Sequence, residues 1–121
     1  MSKSVLVVED NPDNQTLVTW ILEDAGYEIV CSATAEEGLA VLQKRPFDVV
    51  LMDISLPGMD GKEATRQIRQ MEVYRDLPII ALTAHAVKGE TEAIFDSGVT
   101  DLITKPVDEE QLLARLDKLL H

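Results

Sequence analysis

The feature that most constrains this chain is an alternation of two hydrophobic patterns that occurs five times in succession. Short, continuous apolar runs rich in β-branched residues lie at Val5–Val8, Tyr27–Val30, Val49–Met52, Pro78–Leu82 and Leu102–Ile103. Continuous apolar runs of this length are typical of strands buried on both faces of a sheet. The stretches between them have apolar residues at helical spacing. The alternation therefore predicts an α/β protein with a five-stranded parallel sheet and helices on both faces.

The predicted helices have start and stop signals of their own. Pro12 opens the first helix, and Gly26 offers a residue suited to the left-handed conformation at its end. Thr34 and Glu37 have the spacing of a capping box, and Asp108 is expected to cap the fifth helix. The residues expected to face the core are Leu17, Val18, Ile21, Leu22, Ala25, Leu39, Leu42, Ala64, Ile68, Met71, Val87, Ile94, Phe95, Leu112, Leu113, Leu116, Leu119 and Leu120.

Length and charge exclude several classes of protein. The 121 residues suffice for one domain with a sizeable core. The net charge of −11 disfavours direct binding to nucleic acid or to an anionic membrane, whose phosphates attract clustered Lys and Arg. The single cysteine, Cys31, excludes an internal disulfide and a zinc–thiolate cluster. Because no signal peptide and no apolar stretch of about 18 residues is present, we expect a cytoplasmic protein.

Polar residues follow four of the predicted strands at the point where each strand ends. Glu9 and Asp10 follow the first strand, and Asp53 follows the third. Thr83 follows the fourth strand and Lys105 follows the fifth. The carboxyl ends of parallel strands share one edge of a sheet, where open α/β sheets bind their ligands. We therefore expect these side chains to converge on a single crevice.

The residue types in this crevice suit phosphoryl transfer. Three neighbouring carboxylates repel one another, and a hard divalent cation such as Mg²⁺ relieves the repulsion. Phosphoryl transfer needs an aligned nucleophile, a metal and donors to the phosphoryl oxygens, and an ionised aspartate can be the nucleophile. Each residue taken alone could be a turn or cap residue. Their shared position at one edge favours a site.

The segments that carry these residues match a known family. They are Val5–Asn11, Val50–Gly61, Ala81–Ala84 and Lys105–Pro106. Together they resemble the response-regulator receiver domain, the phosphate-accepting half of two-component signalling, over residues 1–121. The resemblance is to single-domain regulators of the chemotaxis-regulator type and to receivers attached to hybrid sensor kinases. It implies a flavodoxin-like fold with strand order 2-1-3-4-5.

The resemblance implies a metal site made of four residues. Asp10 would bind Mg²⁺ directly, and Glu9 would bind it through water. Asp53 would contribute a carboxylate oxygen, and Ser55 would contribute its backbone carbonyl.

The resemblance also implies the residues that handle the phosphoryl group. Asp53 would be the phosphoacceptor, and Lys105 would bind a phosphoryl oxygen. The Thr83 hydroxyl would move onto the phosphoryl group, with the small Ala84 leaving access. The peptide bond before Pro106 would be cis.

Two positions bear on how closely this sequence follows the family pattern. Leu102 lies three residues before the lysine, where many receivers carry Tyr or Phe, so the aromatic part of the usual switch is in question. His85 follows Thr83 closely and could lie at the rim of the crevice, although an exposed loop histidine without a role is the more ordinary interpretation.

The implied function is a phosphorylation switch, not an enzyme acting on a separate substrate. The domain would catalyse its own phosphorylation from a phosphohistidine on a sensor histidine kinase or a histidine phosphotransfer protein, and its own slow dephosphorylation. It would signal to a protein target through the face formed by the fourth helix, fifth strand and fifth helix. Because the fifth predicted helix reaches the C-terminus, we expect no output domain in this sequence. The alternative is a receiver-like docking module that works without phosphorylation.

Trp20 has two interpretations. Helical geometry places it outside the apolar arc of the first helix, among polar residues. It could pack against the fifth helix, which the implied strand order puts on the same face of the sheet. It could instead anchor the phosphodonor protein, because exposed aromatic residues contribute strongly to interfaces.

Overall fold

The computed structural model describes residues 3–56, 58–84 and 87–120. His85 lies outside these residues, so its expected position is not described. The strands are β1 (Ser4–Val8), β2 (Glu28–Ser32), β3 (Val49–Asp53), β4 (Ile79–Thr83) and β5 (Asp101–Thr104). The helices are α1 (Pro12–Asp24), α2 (Ala35–Lys44), α3 (Gly61–Gln70), α4 (Lys88–Asp96) and α5 (Glu109–Leu120), with a 3₁₀ helix at Glu72–Tyr74. The predicted alternation of strands and helices is confirmed.

The five strands form one parallel sheet in the order β2-β1-β3-β4-β5, as expected. Every residue of β3 and β4 is buried, which explains why their sequences are continuous apolar runs. Edge strand β2 is exposed at Glu28 and Cys31. The register sets Asp53 beside Leu82 and Thr83 beside Thr104, so the carboxyl ends of β3, β4 and β5 lie together.

The helices cover the two faces of the sheet separately. On one face, α1 and α5 pack against alternate strand residues, with Val18, Ile21, Leu22, Leu112 and Leu116 buried. On the other face, α2, α3 and α4 pack against the intervening strand residues. The expectation that α1 and α5 share a face is confirmed.

The predicted capping residues Thr34 and Asp108 lie where α2 and α5 begin. Thr34 Oγ1 accepts a hydrogen bond from the Glu37 N–H at 3.1 Å, while the Glu37 side chain accepts one from the Ala33 N–H at 3.4 Å. Asp108 Oδ2 accepts one from the Gln111 N–H at 2.9 Å. These bonds satisfy amide groups that the first turn of a helix leaves unpaired.

Several residues expected in the core are exposed instead. Leu17 lies at the margin of the buried arc of α1, and Ala25 lies in the cap that ends the helix. Val87 is the residue before α4, and Phe95 is exposed although the neighbouring Ile94 is buried. The prediction was wrong for these four residues because helical spacing does not reveal how wide a face the sheet covers.

Within the described part of the chain, no helix combines the length and the apolar character that crossing a membrane requires.

Candidate functional site

Glu9 is a fully buried carboxylate directly after β1. Its backbone N–H donates to the Ser32 carbonyl at 3.0 Å, which continues the β1–β2 pairing by one residue. The Asn11 N–H donates to Glu9 Oε2 at 3.2 Å. Burial raises the pKa of the Glu9 carboxyl, and the neighbouring Asp53 raises it further, while the Lys105 ammonium opposes this rise. Burial and Asp53 therefore both oppose ionisation of Glu9, whereas Lys105 favours it.

Asp53 ends the central strand β3 and is also buried. The Ser55 N–H donates to Asp53 Oδ1 at 3.0 Å, which fixes the carboxylate from the loop side. Lys105 Nζ lies 3.2 Å from Asp53 Oδ2 and 2.8 Å from Glu9 Oε1. One ammonium group thus bridges two buried carboxylates.

Lys105 reaches this position from the loop after β5. Its backbone N–H donates to the Thr83 carbonyl at 2.7 Å, which ties the ends of β4 and β5 together. The Lys105–Pro106 peptide bond is cis, as the family resemblance implied. Burial lowers the pKa of the Lys105 ammonium, but the Glu9 and Asp53 carboxylates raise it by more, so the net shift is upward. The lysine remains charged.

Glu9, Asp10 and Asp53 form a group that could hold a cation. Each offers a carboxylate oxygen, and these oxygens lie within 4.8 Å of one another. Glu9 Oε1 is buried, and the Lys105 ammonium lies 2.8 Å from it. Three carboxylates with one ammonium leave an excess of negative charge, and an all-oxygen donor set suits Mg²⁺. The residues present therefore fit a hard divalent cation.

Thr83 lies at the same edge, where β4 ends, and is buried. It is the next residue after Leu82, which pairs with Asp53 in the sheet register. Ala84, which follows it, is exposed. The sequence thus predicted correctly that these strand-end residues share one edge.

Gly61 has a role that sequence analysis missed. A side chain at this position would collide with the Asp53 carbonyl oxygen and lie 2.9 Å from Ile54 Cα. The absence of a side chain lets α3 begin against the backbone that carries Asp53. A glycine directly after the Asp60 cap was the available signal, since a helix start needs no glycine for its own conformation.

Gln15 was also missed. Its side-chain amide donates to the backbone carbonyl of Glu9. A glutamine near the start of a helix ordinarily indicates a solvated position, so no sequence pattern pointed to this contact.

Trp20 is 61% exposed. It lines an open groove of about 380 Å³ between α1 and the edge strand, together with Gln15, Thr16, Thr19, Glu23 and Cys31. The interpretation that Trp20 packs against α5 is therefore wrong. Leu17, one turn earlier on α1, is exposed as well.

Comparisons with known proteins agree with this geometry. The family model of the response regulator receiver domain matches residues 5–117. The chain is 46% identical over 111 residues to the sensor histidine kinase GacS of Pseudomonas protegens, covering 89% of this chain but only 12% of that kinase's length. It is 36% identical over 120 residues to the polar-differentiation response regulator DivK of Brucella ovis, covering 99% of this chain and 98% of DivK.

Solved structures give the same result. The chemotaxis protein CheY4 of Vibrio cholerae matches with a TM-score of 0.94 and 33% identity, over 99% of this chain and 100% of that one. The receiver domain of the sensor histidine kinase PA1611 of Pseudomonas aeruginosa, solved with a magnesium ion in its active-site cleft, matches with a TM-score of 0.92 and 37% identity over 98% of each chain. From its sequence match, its strand order and its cluster of strand-end acids, this chain belongs to the response regulator receiver domains of two-component systems.

Proposed function

We propose that this receiver domain is a Mg²⁺-dependent phosphorylation switch in which Asp53 accepts a phosphoryl group from a phosphohistidine. The observation that carries the proposal is the ammonium of Lys105 lying between the buried carboxylates of Glu9 and Asp53. A buried group of like charges lowers stability, so its presence is best explained by a ligand that the charges serve. On this proposal, residues 1–121 act as one receiver domain.

Asp53 would be the nucleophile. One of its carboxylate oxygens forms a bond to phosphorus while the bond from phosphorus to the donor's histidine nitrogen breaks, and the nitrogen keeps the electron pair. The Ser55 N–H and Lys105 orient the Asp53 carboxylate, which removes the need to order it during the reaction. Lys105 lies close enough to Asp53 that its ammonium would contact an oxygen of the transferred phosphoryl group.

Mg²⁺ would be held by Glu9, Asp10, Asp53 and the backbone carbonyl of Ser55. When bound, it would neutralise the developing charge on the phosphoryl oxygens. The magnesium ion in the PA1611 receiver supports this assignment. The short distances among the three carboxylates support it independently.

Thr83 would read the phosphorylation state. Its hydroxyl donates to the phosphoryl group, and Ala84 leaves the approach open. The Lys105 N–H to Thr83 carbonyl bond couples the ends of β4 and β5, so a movement of either strand end reaches the other. Leu102 is half-buried against the core beneath α2, α3 and α4, where its movement would accompany that of the strand. The downstream protein target would bind the face of α4, β5 and α5.

The donor would be a sensor histidine kinase or a histidine phosphotransfer protein, and the domain would catalyse both its phosphorylation and its slow dephosphorylation. The kinase identity of the GacS relative supports this donor class. The net charge of −11 supports protein partners over nucleic acid or an anionic membrane, and a cytoplasmic location fits such partners. A docking module that works without phosphorylation would not need buried charges at Glu9 and Asp53, so we do not favour it.

Leu17 and Trp20 would form part of the donor's docking surface. Both are exposed apolar residues on α1, the helix that follows the acid pair. Trp20→Ala is expected to slow transfer from the protein donor while leaving phosphorylation by a small phosphodonor and the melting temperature unchanged. Val73→Ala is the control, because Val73 is also an exposed apolar residue but precedes β4, at the opposite edge of the sheet. Equal slowing with both donors would refute a docking role.

Intact-mass analysis tests the central proposal. A small phosphodonor with Mg²⁺ should add one phosphoryl group to the protein, and Asp53→Asn should abolish the addition. Asp24→Asn, at an exposed position on α1, is the control and should be phosphorylated normally. Retention of the added mass in Asp53→Asn would refute the assignment of the acceptor.

A further inference from the structure

One side chain of α1 is bonded to the turn that carries the acid pair. Gln15 is half-buried, and its Nε2 donates a hydrogen bond to the backbone carbonyl oxygen of Glu9. This oxygen belongs to the peptide group that joins Glu9 to Asp10. A single contact therefore acts on the placement of both acidic residues.

The two ends of this turn are fastened by other bonds. The Glu9 N–H donates to the Ser32 carbonyl at 3.0 Å. The Asn11 side chain accepts from the Asp13 and Asn14 amides and so fixes the start of α1. The peptide group between these anchors is planar, so holding its oxygen sets the direction in which the chain continues into Asp10.

That direction matters because Asp10 is the exposed member of the acid cluster. Its carboxylate must lie close to those of Glu9 and Asp53 for the three to share a cation. An exposed residue on a turn loses conformational freedom when it binds a ligand, and a turn already held in place reduces this loss. Groups that orient metal ligands through hydrogen bonds commonly affect metal affinity in this way.

We infer that Gln15 is a positioning residue for the Mg²⁺ site, acting through the Glu9–Asp10 peptide group. The inference rests on the proposed function, since that proposal supplies the metal. Gln15 touches no reacting atom, so its effect falls on metal affinity and not on the chemical step at saturating Mg²⁺.

Gln15→Met tests the inference, because methionine has a similar length and no hydrogen-bond donor. Titration calorimetry with Mg²⁺ alone should show affinity weakened by about 10-fold. The metal-free melting temperature should stay close to that of the unmodified protein, and phosphorylation by a small phosphodonor should recover at saturating Mg²⁺. Thr19→Val is the matched control: Thr19 lines the same groove, but its hydroxyl contacts Cys31 and not the turn. This variant should keep full Mg²⁺ affinity.

Unchanged Mg²⁺ affinity in Gln15→Met would overturn the inference. A lower metal-free melting temperature with unchanged affinity would overturn it as well, because the residue would then serve only stability. Failure of the unmodified protein to bind Mg²⁺ would be a different result, which would contradict the proposed function and remove the basis of the inference.

Discussion

The polar groups at the two edges of the sheet have different kinds of partners. At the edge where the strands begin, buried groups are matched with partners: the Tyr74 hydroxyl donates to the carbonyls of Leu42 at 2.6 Å and Arg45 at 3.2 Å. The Arg69 guanidinium donates to the carbonyls of Gly98 at 2.9 Å and Tyr74 at 3.0 Å. At the edge where the strands end, three carboxylates lie close together, and one ammonium group contacts two of them.

The difference suggests a division of roles: the first edge contributes to stability, and the second edge carries the proposed functional site. The hydrogen bonds that Tyr74 and Arg69 donate to carbonyls stabilise the chain, and they do not depend on a cluster of like charges. The acid cluster instead brings like charges together in a largely buried place. The raised pKa of Glu9 reflects this, because the burial of Glu9 and the nearby Asp53 both oppose its ionisation. We therefore expect substitutions at the first edge to lower stability, and charge removal at the second edge to leave stability intact while abolishing activity.

The largest effect is expected for Arg69→Met. The substitution leaves the carbonyls of Gly98 and Tyr74 without their charged donor, and should lower the free energy of unfolding by about 3 kcal/mol. Arg66→Met is the control, because Arg66 is exposed and, among the described residues, its ion pair is with Glu63; it should lower the free energy of unfolding by less than about 1 kcal/mol. Denaturant unfolding measures both. Equal losses would show that Arg69 has no special role at this edge.

Mg²⁺ should give the next largest effect, by stabilising the second edge. A ligand that binds only the folded state adds about 2.7 kcal/mol at a concentration 100 times its dissociation constant. Asp10→Asn should remove most of this gain, whereas Asp13→Asn, exposed at the start of α1, should keep it. Thermal unfolding with and without Mg²⁺ measures the difference. A gain that survives in Asp10→Asn would place the metal elsewhere.

Tyr74→Phe should have a smaller effect at the first edge. It removes the hydroxyl that donates to the Leu42 carbonyl while preserving the buried ring, so we expect a loss of about 1 kcal/mol. Denaturant unfolding with an unchanged slope would confirm that only stability has changed. A variant as stable as the unmodified protein would show that water replaces the hydroxyl there.

The smallest effect is expected for Asp53→Asn in the absence of metal. The substitution removes one of three clustered negative charges but also weakens the contact with Lys105. The relief of repulsion should offset the lost ion pair, so that stability is unchanged or rises slightly. Unfolding in the presence of a chelator tests this. A clear loss of stability would mean that the cluster is held mainly by attraction to Lys105, and the contrast between the two edges would disappear.

Much of this arrangement could be predicted from sequence because it depends on local patterns. Continuous apolar runs predicted β3 and β4, and the capping roles of Thr34 and Asp108 followed from residue type and spacing. The placement of Glu9, Asp53 and Lys105 on one edge followed from parallel strands alone. The roles of these residues in phosphoryl transfer stay predictions until the mass experiment is done.

Other features had no local signal. Val87 and Phe95 were expected in the core, yet both are exposed, because the extent of the covered face depends on how α4 lies on the sheet. The closeness of Gly61 to the Asp53 backbone depends likewise on where α3 packs. Spacing within a helix cannot report its distance from a strand elsewhere in the chain.

The amino-acid sequence by itself determined which elements form, how the parallel strands bring acid, hydroxyl and amine groups to a common edge, and which family the chain resembles. These properties follow from hydrophobic periodicity, capping chemistry and short motifs, all of which act over a few residues. Only the tertiary structure decided that Lys105 bridges Glu9 and Asp53, that Gln15 holds the turn between Glu9 and Asp10, and that Trp20 lies open in a groove. Such contacts depend on distances between side chains of separate elements, and those distances are set by packing of the whole core.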